Sequence, residues 1–267
     1  MKRMLTKLRR LSLSCIGFFF IIQGFAQQSE LFAKEQFIQE KDTLLYRIML
    51  PNNFDASKTY PLVLFLHGAG ERGSDNQKQL THGSSLFASE ANREKFPAIV
   101  VFPQCPKNDY WANAEVDRST KPLTLKFPET LEPTTAMVLA MGLLDELLAK
   151  AYVNKDQVYI GGLSMGGMGT FEMLHRKPTI FAGAFAICGA GNPEFASDYA
   201  KQTALWVFHG ANDDVVNPQA SVDMVSGILK YGGKPNFSLY AKDNHNSWDS
   251  AFAEPELLTW LFSNSKH

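Results

Sequence analysis

Four near-continuous apolar runs punctuate this chain, at 61–66 (PLVLFL), 98–102 (AIVVF), 157–163 (QVYIGGL) and 204–208 (ALWVF), with a weaker fifth at 181–187. A strand with one wet face alternates apolar and polar residues. An unbroken apolar run instead implies burial on both faces, the condition of a parallel sheet covered by helices. Helical stretches separate the runs at 134–151, 165–176, 218–231 and 247–263. In the first of these, Met137, Met141, Leu144, Leu148 and Ala151 recur at intervals of three and four residues, the spacing of one helix face. Strands alternating with helices predict α/β architecture, and right-handed crossovers place the helices on both faces. Upstream, residues 31–39 and 43–50 flank Glu40-Lys41-Asp42 and alternate in part, which predicts an antiparallel hairpin at the start of a mixed, mostly parallel sheet. Residues 236–240 read as a last strand.

The chemistry is concentrated where these strands end. His67-Gly68-Ala69-Gly70, Gly162-Leu163-Ser164-Met165-Gly166 and the segment from His209 to Asp213 each follow a predicted strand. In open α/β sheets ligands bind at the carboxyl ends of the strands. Ser164 stands between two glycines spaced two residues away, after a strand and before a helix, which is the context of a nucleophile elbow. A sharp turn there exposes the hydroxyl, and the glycines remove side chains that would clash where strand and helix converge. A serine hydroxyl needs a base to accept its proton, and the chain has six histidines. His67 and His209 precede glycine at strand ends and read as turn-shaping residues. His175 is carried about three turns along the helix, and His267 is the last residue. His245 follows the final strand and is the predicted base, with His82 as competitor. The acid belongs between serine and histidine in the chain, on a strand end, where it orients the imidazole. Asp213 is chosen over Asp214 because it holds the fifth position of an H-G-x-x-D arrangement; Asp223 and Asp243 are poorly placed. The backbone N–H groups of Met165 and Ala69 are the expected oxyanion donors, with Gly70 as alternative to Ala69. Gly68 and Gly70 would let substrate approach the backbone.

Residues 1–26 carry five bases and no acid, followed by an apolar segment at 11–22 and a small residue, Ala26. That is the pattern of a cleaved signal peptide, too short in its apolar part to span a bilayer. The catalytic domain is expected over 27–267. Beyond residue 26 the balance is 21 Lys and Arg against 27 Asp and Glu, so the chain has no electrostatic footprint for nucleic acid or an anionic membrane. Cys105 and Cys188 fit no zinc spacing, and neither a metal nor a cofactor is implied.

With these residues in place the chain resembles the α/β-hydrolase superfamily over nearly all of 27–267. The stretches HGAGERGSDN (67–76), PQCP (103–106) with Trp111, GLSMGGMGT (162–170) and HNSW (245–248) are similar to those of secreted bacterial esterases related to feruloyl and acetylxylan esterases, and of prolyl-oligopeptidase-type peptidases. The resemblance implies acyl transfer through an ester on Ser164, with ester substrates, some attached to polysaccharide, and no cofactor. A serine peptidase and a non-catalytic binding protein on the same fold are the alternatives. Glu71 and Arg72, which the resemblance places near the site, are expected to stiffen the oxyanion loop through ion pairs, with substrate contact as the alternative. Trp111 is expected either to stack on a sugar or aromatic acyl group of the substrate or to pack on the protein, and Trp248 to shield His245. Trp206 and Trp260 read as core. In the usual strand order of this superfamily two strands separate Cys105 from Cys188, on the order of 14 Å, too far for a disulfide. Residues 189–203 are too few for a large lid, so an open cleft is expected.

Overall fold

The computed structural model describes residues 29–128 and 132–266; the expected signal segment 1–26 lies outside them. An eight-stranded sheet runs in the order β1-β2-β4-β3-β7-β8-β9-β10. Its members are β1 (Ala33–Gln39), β2 (Asp42–Met49), β3 (Tyr60–Leu66), β4 (Ile99–Gln104), β7 (Val153–Leu163), β8 (Gly183–Ile187), β9 (Ala204–Gly210) and β10 (Asn236–Tyr240). The hairpin β1–β2 and the pair β2–β4 are antiparallel, and every other neighbouring pair is parallel. The sheet is mostly parallel and mixed. Every residue of β4 and β8 is buried, as is the carboxyl half of β7, which is why these strands read as unbroken apolar runs.

Alternate strand residues feed two cores. Leu62, Leu64, Val101, Ile160, Ala184 and Val207 point to one face, where they pack on α3 (Thr135–Leu148), α4 (Met165–Arg176), α5 (Ala196–Tyr199) and α6 (Gln219–Lys230). Val63, Phe65, Phe102, Tyr159, Phe185 and Phe208 point to the other, covered by α1 (Ser84–Ala88), α7 (Trp248–Phe252) and α8 (Leu257–Ser263), with α2 (Glu90–Lys95), none of whose residues is buried, lying against α1. Trp206 belongs to this second core and Trp260 packs edge-on against it. Helix α3 starts where the Thr134 hydroxyl accepts from the Met137 N–H, a side-chain cap that satisfies an amide without an intrahelical partner.

One expectation needs correction. The single helix expected over 247–263 is two short ones, broken where Pro255 removes an N–H and steers Glu254 out of helical backbone. The polar stretch 105–132 has regular structure of its own. It carries a small antiparallel hairpin, β5 (Glu115–Asp117) with β6 (Thr124–Lys126), anchored by the Leu123 N–H on the Val215 carbonyl at 2.8 Å. Its strands are three residues long and largely exposed, too short for a periodic signal.

Candidate active site

The turn from β7 into α4 sets the site. Ser164 adopts φ 53° and ψ −117°, a backbone region that costs a non-glycine residue on the order of 1–3 kcal/mol. The surrounding contacts fix it there: its N–H donates to the Ile187 carbonyl at 2.8 Å, and its carbonyl accepts from the Met168 N–H at 3.0 Å. Strand and helix converge so tightly that a Cβ on Gly162 would sit 2.2 Å from the Gly166 carbonyl oxygen, and one on Gly166 1.9 Å from that of Leu66. No side chain fits at either position.

Three segments far apart in sequence meet at the Ser164 hydroxyl. His245 Nε2 lies 2.9 Å from Ser164 Oγ, and His245 Nδ1 lies 2.8 Å from Asp213 Oδ2. Asp213 sits on the loop after β9 and His245 on the loop after β10. The two loops are tied together by the Asn212 N–H on the Asp243 carbonyl at 2.9 Å and the Ala211 N–H on the Tyr240 carbonyl at 2.9 Å. Burial by itself would raise the Asp213 pKa, but donors from His209, His245 and the Val215 amide outweigh it and hold the carboxyl below the usual range. Asp214 is exposed, its N–H on Asn244 Oδ1 at 3.1 Å. An arrangement of this kind lets an imidazole take a hydroxyl proton while the carboxylate holds the ring's tautomer.

His209 has a place that its sequence position did not disclose. It is buried, with Nδ1 2.7 Å from Ser221 Oγ, and its Nε2 lies 3.1 Å from both Asp213 Oδ2 and the Val216 carbonyl. Both Nε2 neighbours are acceptors, so that nitrogen carries the proton. The Asp213 carboxylate therefore faces two imidazoles through one oxygen and two backbone N–H groups, those of Val215 and Val216, through the other. His175 is remote, stacked on Phe195 and 2.6 Å from Asp198. Cys188 Sγ lies beside Asp213 and His245, ligand atoms of all three falling within 4.8 Å. Burial pushes that thiol's pKa far up, which disfavours the thiolate a metal would need. Both Cys105 and Cys188 are free and buried.

Met165 and Ala69 each open a helical turn, α4 and the 3₁₀ turn Ala69–Glu71, where amides lack an intrahelical acceptor. The loop carrying Ala69 is pinned from below. His67 is buried, and its Nε2 accepts from the Cys105 N–H at 3.0 Å. The proton therefore sits on Nδ1, 2.6 Å from the Gly68 carbonyl. Gln104 bridges the same loop, accepting from the Asn76 N–H and donating to the Glu71 carbonyl and Asp75 Oδ1. The HGAGERGSDN and PQCP stretches are thus two halves of one hydrogen-bonded unit. Arg72 stiffens it, though not by an ion pair with Glu71: it donates to the Ala69 and Asp109 carbonyls at 3.0 and 3.1 Å.

Trp111 is a correction. It is wholly buried and its indole N–H donates to the His67 carbonyl at 3.1 Å. It supports the loop from within the core and does not line the cleft, so stacking on substrate is not open to it. The cleft itself holds about 230 Å³. One wall comprises Tyr110, Arg118, Leu123, Met168, Val215 and Val216; the other comprises Glu71, His82 and Trp248, with Gly68, Ala69 and Gly70 beside Ser164 and His245. Sequence reasoning missed the first of these walls, in which Tyr110, Arg118 and Leu123 arrive on a segment with no pattern.

Burial of His67 lowers its pKa from 6.5 to about 4, which ties stability to pH. The unfolded chain takes up this proton near pH 6.5 and the folded chain only near 4, so stability is full above 6.5 and falls as the pH drops toward 4. At 1.36 kcal/mol per pH unit, the expected loss from this residue is about 3 kcal/mol. Urea denaturation at pH 7 and pH 4.5 should show a markedly smaller pH-dependent loss in His67→Gln than in the wild type; equal losses would refute the assignment.

Residues 54–255 match the family described as Phospholipase/Carboxylesterase. The chain is 28% identical over 170 residues to a bifunctional acetylxylan esterase/xylanase of Neocallimastix patriciarum, covering 64% of this chain but only 21% of that protein. It is 27% identical to lysophospholipase-like protein 1 of Mus musculus, over 68% of this chain and 79% of the other. Among solved structures, a thermostable esterase superposes with a TM-score of 0.80 at 30% identity, covering 90% of this chain and 64% of that one. A ferulic acid esterase of Anaeromyces mucronatus shares the fold, with a TM-score of 0.60 at 15% identity over 83% and 87% of the two chains. With its sheet order, its β7–α4 turn and this match over most of its length, the chain belongs to the phospholipase/carboxylesterase family of the α/β-hydrolase superfamily.

Proposed function

We propose that the protein is a serine carboxylesterase in which Ser164 is the nucleophile, His245 the general base and Asp213 the acid that orients it. The observation that carries this reading is the hydrogen-bonded line Ser164 Oγ, His245 Nε2, His245 Nδ1, Asp213 Oδ2, at 2.9 and 2.8 Å, at the carboxyl edge of the sheet. Ser164 Oγ attacks the ester carbonyl while its proton passes to His245 Nε2. The oxyanion that forms is met by the Met165 and Ala69 amides. On collapse, the bond from carbonyl carbon to alcohol oxygen breaks and His245 gives its proton to that oxygen. Water then repeats the sequence on the acyl-Ser164 ester, releasing the acid.

The substrates we assign are acetyl or feruloyl esters of the kind that decorate plant polysaccharide. Support comes from similarity to an acetylxylan esterase/xylanase and from a cleft too small to enclose a large ligand, so a polymer extends into solvent. A peptidase reading has weaker support, since the peptidases among the structural neighbours share 14–15% identity and only the fold. Residues 1–26 are proposed as an export signal, and no helix among the described residues is long and apolar enough to cross a membrane; amino-terminal sequencing of the exported protein should begin at Gln27.

The test is initial rates on methyl ferulate and p-nitrophenyl acetate. Efficient cleavage of both is expected. Cleavage of the acetate alone redirects the search to acetylated polymers, and cleavage of neither overturns the esterase reading.

A further inference from the structure

The two walls of the cleft come from opposite faces of the sheet and differ in chemistry. Tyr110 and Met168 pack with the α3–α6 side. Trp248 packs with the α7–α8 side. The second wall is a chain of contacts that starts at the proposed base. The Trp248 ring meets His245 edge-on at 5.5 Å, the His82 ring lies 5.1 Å from Trp248, and His82 Nε2 lies 3.9 Å from Glu71 Oε1.

This asymmetry says which half of the ester goes where. His245 must hand its proton to the departing alkoxide, so the alcohol leaves on the side that His245 and its neighbours face. That side is the wall of Trp248, His82 and Glu71. Glu71 is only 14% exposed, and its one ion-pair partner among the described residues is His82, at a distance too long for a hydrogen bond. Its sequence neighbour Arg72 is turned away onto two backbone carbonyls. Glu71 thus offers carboxylate lone pairs to the cleft, beside an aromatic ring that is not wholly buried. A carboxylate accepts hydrogen bonds from hydroxyl groups and repels an anion, and an indole face packs against the C–H face of a ring.

Resting on the serine esterase reading above, we infer that Glu71, His82 and Trp248 form the subsite for the leaving alcohol, and that it takes a neutral, hydroxyl-rich ring and rejects an anionic alcohol. The phosphate-bearing alcohol of a lysophospholipid is disfavoured here by charge. The opposite wall carries the exposed cation Arg118, so an anionic group on the acyl side meets no such barrier.

Three acetyl esters test this: acetylated methyl xyloside, acetylated methyl glucuronoside and ethyl acetate, each assayed with wild type, Glu71→Gln and Trp248→Ala. Each readout is a ratio of kcat/KM values within one protein preparation, so partial unfolding of a variant cancels. Glu71→Gln should lower the xyloside-to-glucuronoside preference about tenfold, the scale of one partly screened charge. Trp248→Ala should lower the xyloside-to-ethyl-acetate preference by a similar factor, carried by KM. A Glu71→Gln preference within twofold of wild type overturns the charge filter, and equal losses on both esters in Trp248→Ala overturn the sugar platform. Absence of turnover by the wild type on all three acetyl esters and on methyl ferulate overturns the serine esterase reading itself, and this inference falls with it.

Discussion

Ser164→Ala is expected to lower kcat on p-nitrophenyl acetate by roughly 10⁶-fold while leaving the fold intact, the order of loss seen when a serine nucleophile is removed from a triad. The fold should survive because the strained position is strained by its Cβ, and alanine keeps that atom. The backbone bonds that fix the turn, Ser164 N–H to Ile187 and Met168 N–H to Ser164, do not involve the hydroxyl. What remains after the substitution is the field of the oxyanion donors, worth roughly 10³-fold over water in such sites. Stopped assays with active-site titration by a p-nitrophenyl ester give the check: the wild type releases one burst of nitrophenolate per chain and the variant none. A variant that keeps more than a few per cent of the rate would show that Ser164 does not carry the acyl group.

Asp213→Asn is expected to cost on the order of 10⁴ in kcat, because it inverts the hydrogen bonding around the base. The wild-type Oδ2 accepts from His245 Nδ1 and His209 Nε2, and Oδ1 accepts from the Val215 and Val216 amides. An asparagine has one acceptor oxygen and one donor NH₂. If its oxygen keeps the two amides, its NH₂ faces His245 Nδ1 and drives that ring to the tautomer whose Nε2 bears a proton. Such a ring cannot accept from Ser164. If the side chain flips, two amide N–H groups face a donor in a buried site, at a cost of about 1–3 kcal/mol for each unsatisfied group. Asp214→Asn changes an exposed side chain outside this network and should stay within about twofold of wild type. Parallel kcat measurements on the two variants decide the matter; a crippled Asp214→Asn beside a mild Asp213→Asn would reverse the assignment of the acid.

The sheet was legible because burial on both faces leaves a one-dimensional trace: β3, β4, β9 and the carboxyl half of β7 had to be largely apolar. The elbow was legible for a similar local reason. Gly162 is required by a contact close in sequence, with the Gly166 carbonyl, so its spacing from Gly166 carries a local signal, whereas Gly166 is itself required by the Leu66 carbonyl of the neighbouring strand. Patterns failed where structure depends on contacts without a period. The break at Pro255 inside an apolar stretch was overlooked, and β5–β6 was missed because short exposed strands have no alternation to read.

The sequence by itself determined the α/β sheet, the strand ends at which the chemistry gathers, and the few residue types able to perform it. Tertiary structure decided which of those residues touch. It buried Trp111 beneath the oxyanion loop, out of reach of the substrate on which it was a candidate to stack, since its indole N–H is held by the His67 carbonyl. It set His209 against the Asp213 carboxylate and brought Glu71, His82 and Trp248 into one wall from three separated segments. The physical reason is the same in each case. A strand's apolar character is fixed by its own two faces, whereas a side chain's partner is fixed by how loops from different strands pack at one edge, and that packing leaves no periodic mark in the chain.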